Sequence, residues 1–331
     1  MNQIALAQTG LPSVLAGVAD KARDYMLRSR TGNTRRAYGA DWRDFAAWCA
    51  DAGLEALPAG SETVGLYLAA RASTHRPATL DRRLVAITAA HRAAGYGLDT
   101  RHATIRETLA GIKRTHGTAQ TGKAPAVAAD IRAMVEAQPD GLLGCRNRAL
   151  ILLGFDSACR RSELEALDVE DVALTHDGIV LTLHRSKTDQ AGAGRQIGVP
   201  YRSNPAMCTV RAVQDWIEAA GISTGALFRE IGPGGQLVAT YVDALGRRRG
   251  ERLSGKSIAL VVKAAARAAG LDPVRYGGHS LRAGFATAAA QAGAAERSIM
   301  QQTGHKSLPM VRRYIRLGNL FSDNAAALIS L

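Results

Sequence analysis

The chain has 331 residues, 47% of them hydrophobic and 21% charged, which is ordinary for a globular protein but too long for one small core, so two domains are expected. No run approaches ~18 uninterrupted apolar residues, and the opening MNQIALAQTGLPSVLAG lacks the basic start and long apolar block of a secretory leader. No membrane span is expected, and the expected location is the cytoplasm. Lysine and arginine number 42 against 29 acidic residues, a net charge of +13 with a pI near 10.1.

Seven of the basic residues are lysine and 35 are arginine. Arginine's planar fork grips phosphate oxygens at two points, whereas lysine acts as a point charge. Through residue 123 there are 17 basic and 10 acidic residues, and beyond it 25 and 19, so both parts are basic, at +7 and +6. That distribution fits a partner that is a polyanion met along the whole chain; solubility charge would read the same from composition. Cys49, Cys145, Cys159 and Cys208 form no CxxC pair, which favours reduced structural thiols over a zinc site.

The first third reads as helices. NTRRAYGADWRDFAAWCADAG sets Tyr38, Trp42, Phe45, Trp48 and Cys49 near helical spacing, with Asn33 or Thr34 as cap and Gly53 as stop. SETVGLYLAARAS reads as a shorter helix. In ATLDRRLVAITAAHRAAG, Leu80, Leu84 and Ile87 share one face between a Thr79 cap and Gly95, while Arg82, Arg83 and Arg92 lie on the other. Such a trio is either a solvated face or a grip on a DNA backbone.

Periodicity then vanishes in KRTHGTAQTGKAPA, residues 113–126, which reads as a linker between a helical part, 1–112, and a mixed part, 127–331. The second part opens with a buried helix, CRNRALILLGFDSA. GIVLTLHRSKT and GRQIGVP alternate as two strands of a hairpin joined by DQAGAG. GRRRGER, with Arg247, Arg248 and Arg249, reads as a backbone grip or a solvated loop. LSGKSIALVVKAAARAAG reads as a helix from a Ser254 cap to Gly270, and HSLRAGFATAAAQAG as another. PMVRRYIRLG opens on proline and closes on glycine, as helices do. The tail, residues 322–331, carries Leu328, Ile329 and Leu331; it is too short to be stable as an isolated helix and needs a surface to bury against. The fold expected is mainly helical with a small antiparallel hairpin.

Four segments carry candidate chemistry. ACRRSELEAL places Arg160 three residues before Glu163, and RSKT sets Lys187 near the hairpin tip. GGHSLRAG puts His279 and Arg282 on one helix face, and TGHKSLPMVRRY sets His305 ahead of Tyr314. Breaking a DNA strand without a metal requires a nucleophile, compensation for a pentacovalent phosphorane and a proton for the departing oxygen. A tyrosine hydroxyl, with a pKa of about 10, is mostly neutral at pH 7 and needs help. Arginines from two helices can hold the non-bridging oxygens, a histidine can donate to an oxygen or take the phenolic proton, and a lysine on a hairpin can protonate the leaving oxygen. Tyr276, three residues before His279, is the rival nucleophile. The sequence has no P-loop, no HExxH and no acidic cluster of the kind a two-metal nuclease needs, so no metal or organic cofactor is expected.

Ordered as Arg, Lys, HxxR, His and Tyr, the set resembles the tyrosine recombinase (phage integrase) family, and the end of the chain most resembles its Cre-type members. The resemblance implies a helical core-binding domain followed by a catalytic domain, clamping double-stranded DNA. It implies Tyr314 as the nucleophile forming a 3′-phosphotyrosyl link, Arg160 and Arg282 as the phosphate clamp, and His279 as the HxxR histidine. Lys187 becomes the leaving-group acid, His305 the final hydrogen-bonding position, and Glu163 the support of the clamp. Arg161 stands where many members are apolar, and spacing to Glu163 favours Arg160 as the clamp. The function implied is conservative strand exchange by a cytoplasmic, nucleoid-associated enzyme, four protomers holding two target sites through the C-terminal tail. A type IB topoisomerase-like relaxing enzyme or a catalytically silent DNA-binding accessory factor are the alternatives.

Overall fold

The computed structural model describes residues 29–119, 122–184, 194–242, 244, 248–250 and 252–318, with isolated positions 17, 18, 21 and 25. Lys187, Arg247 and the tail at 322–331 lie outside these residues, as do the side chains of Arg248 and Arg249. The chain divides into two compact units, Met1–Thr121 and Gly122–Leu331.

Among the described residues from 29 onward the first unit has four helices, α1 (Gly32–Asp51), α2 (Ser61–Ala70), α3 (Pro77–Ala93) and α4 (Ala103–His116). Helix α1 is capped two or three residues earlier than expected, by Thr31, whose hydroxyl accepts the Thr34 N–H. Helix α3 starts at Pro77 with Arg76 as cap rather than Thr79, because proline's fixed φ suits a first helical position. Helix α4 carries Ile105, Leu109 and Ile112 inward and runs to His116, so the linker is shorter at its start than sequence periodicity suggests. Phe45, Val64, Tyr67, Leu68, Leu80 and Ile87 form the core, with the rings of Phe45 and Tyr67 edge to face at 5.0 Å.

In the second unit, α5 (Ala128–Glu136) precedes α6 (Leu142–Asp156), an apolar helix buried over most of its length. Around α6 pack α8 (Thr209–Ala220) and α10 (Gly278–Gln291), and α12 (Leu308–Gly318) packs on α10. Between them come the short α7 (Arg161–Ala166), α9 (Gly255–Ala268) and α11 (Glu296–Thr303). The hairpin strands β2 (Gly178–Leu183) and β3 (Arg195–Pro200) are antiparallel, with Leu181 opposite Ile197 and Ile179 opposite Val199. Strand β1 (Val172–Leu174) adds to the free edge of β2. A two-residue ribbon, β4 (Tyr241–Val242) with β5 (Arg248–Arg249), lies apart from that sheet.

The chain entering the second unit is laid along the start of α10. Lys123 Nζ donates to the Val274 carbonyl at 2.5 Å, and the Ala124 and Ala126 amides donate to Arg275 and Ser280 at 2.7 and 2.9 Å. Gly284 makes this possible: a Cβ there would stand 1.8 Å from the Ala126 carbonyl oxygen. Helix propensity alone favours Gly284→Ala by about 1 kcal/mol, but overpacking against fixed backbone costs about 1–3 kcal/mol. Thermal melting of Gly284→Ala is therefore expected to show a lower Tm than the parent, and a raised Tm would contradict this close approach.

Candidate active site

Residues far apart in sequence meet at the N-termini of α7 and α10 and the start of α12. Arg160 is the cap residue of α7 and Glu163 its third helical residue. The Glu163 carboxylate, 2% exposed, accepts the Arg160 backbone N–H through Oε2 at 2.8 Å and the Arg160 guanidinium through Oε1 at 2.7 Å. One acid thus closes the helix N-terminus and aims the arginine.

Arg282, one turn into α10 and 1% exposed, donates Nη1 to the Ala158 carbonyl at 2.8 Å and Nη2 to His305 Nε2 at 3.0 Å. Burial first, then the neighbouring Arg160, lowers its pKa to about 10, which leaves it cationic at neutral pH. Since arginine only donates, His305 Nε2 is the acceptor and its proton sits on Nδ1, which donates to Thr303 Oγ1 at 2.8 Å. Thr303 in turn donates to the Ile299 carbonyl at 2.6 Å. Desolvation, followed by the charges of Arg282 and Arg160, lowers the His305 pKa to about 4. His305 is therefore a neutral imidazole held in one tautomer.

Tyr314, partly buried on α12, places its hydroxyl 3.0 Å from Nε2 of the exposed His279. Its ring packs beside the cluster of Ala286, Ala290, Ile299 and Val311 and lies 6.0 Å from the His305 ring. The phenol is not sealed in apolar core. By contrast Tyr276 is 5% exposed and donates to Asp130 Oδ2 at 3.2 Å; burial, then Asp130, raises its pKa, so its hydroxyl is committed elsewhere. Cys159, beside Arg160, is fully buried and its thiol is pushed up to about 12, chiefly by desolvation, which removes it as a rival nucleophile.

The structure therefore brings Arg160, Glu163, His279, Arg282, His305 and Tyr314 together. Arg312, near Tyr314, pairs with Glu296 at 3.0 Å and braces α12 on α11. The expected basic face of α3 fares differently. Arg83 is a correction: its side chain is buried, reaching Asp44 at 2.5 Å, Tyr67 and His75, because α3 turns this position inward. Arg82 remains half exposed but holds Asp41 through two 2.9 Å bonds. Two participants escaped the motif reading, Thr303 and Arg195. Arg195, at the head of β3, lies 3.6 Å from Glu163 Oε2; its sequence signal is strand alternation, which puts it on the inward face with Ile197 and Val199. Among the described residues no cluster of three or more His, Cys, Asp or Glu could hold a metal ion, and no helix is long and apolar enough to cross a membrane.

The low pKa of His305 has a stability consequence. Between pH ~6.5 and about 4 the unfolded chain takes up a proton that folded His305 refuses. The contribution is complete above the unfolded value and declines as pH falls through that window. Melting curves from neutral to acidic pH are expected to fall more steeply for the parent than for His305→Gln; parallel curves would contradict the buried neutral imidazole.

Residues 127–319 match the phage integrase family. The chain is 40% identical over 309 residues to the integrase/recombinase xerD homolog of Selenomonas ruminantium, covering 92% of this chain and 87% of that protein. It is 25% identical over 297 residues to the recombinase cre of Escherichia phage P1, covering 86% and 83%. In fold it is similar to the lambda integrase(75-356) dimer bound to a COC′ core site, with a TM-score of 0.56 at 17% identity over 90% of this chain and 93% of that one. It is also similar to the Tn1549 transposon integrase in complex with circular intermediate DNA, with a TM-score of 0.58 at 16% identity over 88% and 92%. The residues above and this likeness lead to one conclusion: the chain belongs to the phage integrase family of tyrosine recombinases.

Proposed function

We propose that this protein is a site-specific recombinase that cuts and rejoins double-stranded DNA through a covalent bond to Tyr314. The observation that carries the reading is the phenol held 3.0 Å from His279 Nε2, beside two arginines tied into one site by Glu163 and His305. The Tyr314 oxygen attacks the phosphorus and its proton passes to His279. Arg160 and Arg282 hold the non-bridging oxygens as charge builds on them. The bond to the 5′ oxygen breaks, leaving a 3′-phosphotyrosine, and that oxygen takes a proton, the role we assign to Lys187. A 5′ hydroxyl from a second duplex then attacks the phosphotyrosine and releases Tyr314. Bond energy is kept in the covalent link, so the reaction needs no nucleotide cofactor.

The first unit supplies further DNA contact in this reading. Its net charge of +6 over residues 1–121, from 16 basic and 10 acidic residues, supports that role, and Arg82 and the Arg247–Arg249 run are retained as candidate backbone contacts. The reaction requires two duplex sites in one assembly, hence a tetramer, with residues 322–331 docking on a neighbouring protomer.

Tyr314→Phe is expected to abolish the SDS-resistant protein–DNA adduct formed with nicked duplexes, while DNA binding stays within a few-fold because one hydroxyl is lost. An adduct from the variant would refute the assignment. Deleting residues 320–331 is expected to weaken cooperative assembly in gel-shift titrations more than binding of a single half-site; unchanged cooperativity would remove the tail from the assembly.

A further inference from the structure

Arg195 is held as no ordinary surface arginine is. Nη1 donates to the Gln302 and Gln301 carbonyls at 2.9 and 3.4 Å, the carbonyl end of α11. The guanidinium rests on Gly304, where an added Cβ would come within 2.9 Å of Cζ. Nε and Nη2 are buried without a hydrogen-bond partner, and Nη2 stops 3.6 Å short of Glu163 Oε2, outside hydrogen-bonding range. Buried guanidinium N–H groups left unpaired are costly and call for an explanation.

The nearest explanation is Glu163. A carboxylate has about four lone-pair sites, and two of those of Glu163 are answered in this structure, by the backbone N–H and Nη1 of Arg160. Arg160 is also the group that must turn to a phosphodiester. When it does, a carboxylate only 2% exposed loses its hydrogen-bonded cation, which is unfavourable unless the looser ion pair, Arg195 at 3.6 Å, closes on it. Arg195 is already alongside, with two unpaired N–H groups.

We propose that Arg195 is a positioning residue that takes over Glu163 as counter-ion when Arg160 engages the DNA phosphate, so that the clamp is released from its own support. The proposal rests on the recombinase reading above. Nη2 closes the gap to Oε2, Arg160 keeps its backbone bond to Glu163, and its guanidinium is free for the phosphate. Its neighbours Arg282 and His305, on the other elements packed there, keep their mutual bond.

The test uses the full chain and a pool of nicked duplexes tiled from the DNA flanking its coding region, read as the rate of covalent adduct formation and as equilibrium binding. No adduct from the parent would sink the recombinase reading itself. Given that adduct, Arg195→Gln is expected to slow its formation by on the order of tenfold to a hundredfold with binding little changed, and Arg195→Lys to recover part of the rate. The decisive comparison is the double variant: in a Glu163→Gln background, where no charge needs an answer, Arg195→Gln should cost almost nothing further. Equal losses in both backgrounds would make Arg195 a structural brace of α11, and a salt-dependent loss of binding would make it a direct DNA contact; either overturns the proposal. Melting without DNA identifies a variant that does not fold, in which case Arg195→Lys in both backgrounds decides.

Discussion

A buried carboxylate cannot stand alone, and the second unit is arranged around that fact at Glu163. Leaving such a charge without its partner costs about 3–5 kcal/mol, enough to hold a flexible arginine in one place. Glu163 binds both the main chain and the guanidinium of Arg160, so the helix start and that guanidinium become one object. The long side chain of Arg160, which would otherwise sample many rotamers, is held in one arrangement by the protein itself.

The second arginine is fixed by backbone rather than by acid. Ala158 sits at φ 49°, in the left-handed region that side chains other than glycine rarely adopt. That turn presents its carbonyl to Arg282 Nη1 at 2.8 Å. Strain of this kind persists where surroundings over-determine it, and here α6 ahead of it is buried nearly throughout. On the other side, α10 is pinned by the entering residues 124–126, whose close approach only Gly284 admits. Burial first, then the neighbouring guanidinium of Arg160, lowers the Arg282 pKa, and in the proposed reaction a phosphate between the two like charges would relieve their repulsion.

Much of this was legible in the residues. Apolar periodicity found α1, α3, α6 and α9, and the Ser254 cap of α9 is confirmed by its bond from the Ser257 N–H. The Arg–Glu spacing singled out Arg160 and Glu163, and HxxR spacing put His279 and Arg282 on one face. Helices α4, α5, α8 and α11 were not read, since they lie between motifs and lack a conspicuous start signal; Val127 and Cys208, for instance, make no side-chain cap. Arg83 misled because a charged residue on a helix is read as outward by default. Only the fold shows Asp44 and Tyr67 waiting inside for it. His305 was found by spacing, but its tautomer depends on Thr303 and Arg282, a relation that no linear pattern carries.

Mass spectrometry of the covalent adduct after tryptic digestion tests the central claim most directly, namely that residues from Arg160 to Tyr314 close on one phosphate. The account predicts a single nucleotide-bearing peptide, with the 3′ phosphate on Tyr314. A nucleotide on Tyr276, or on any other side chain, would contradict it.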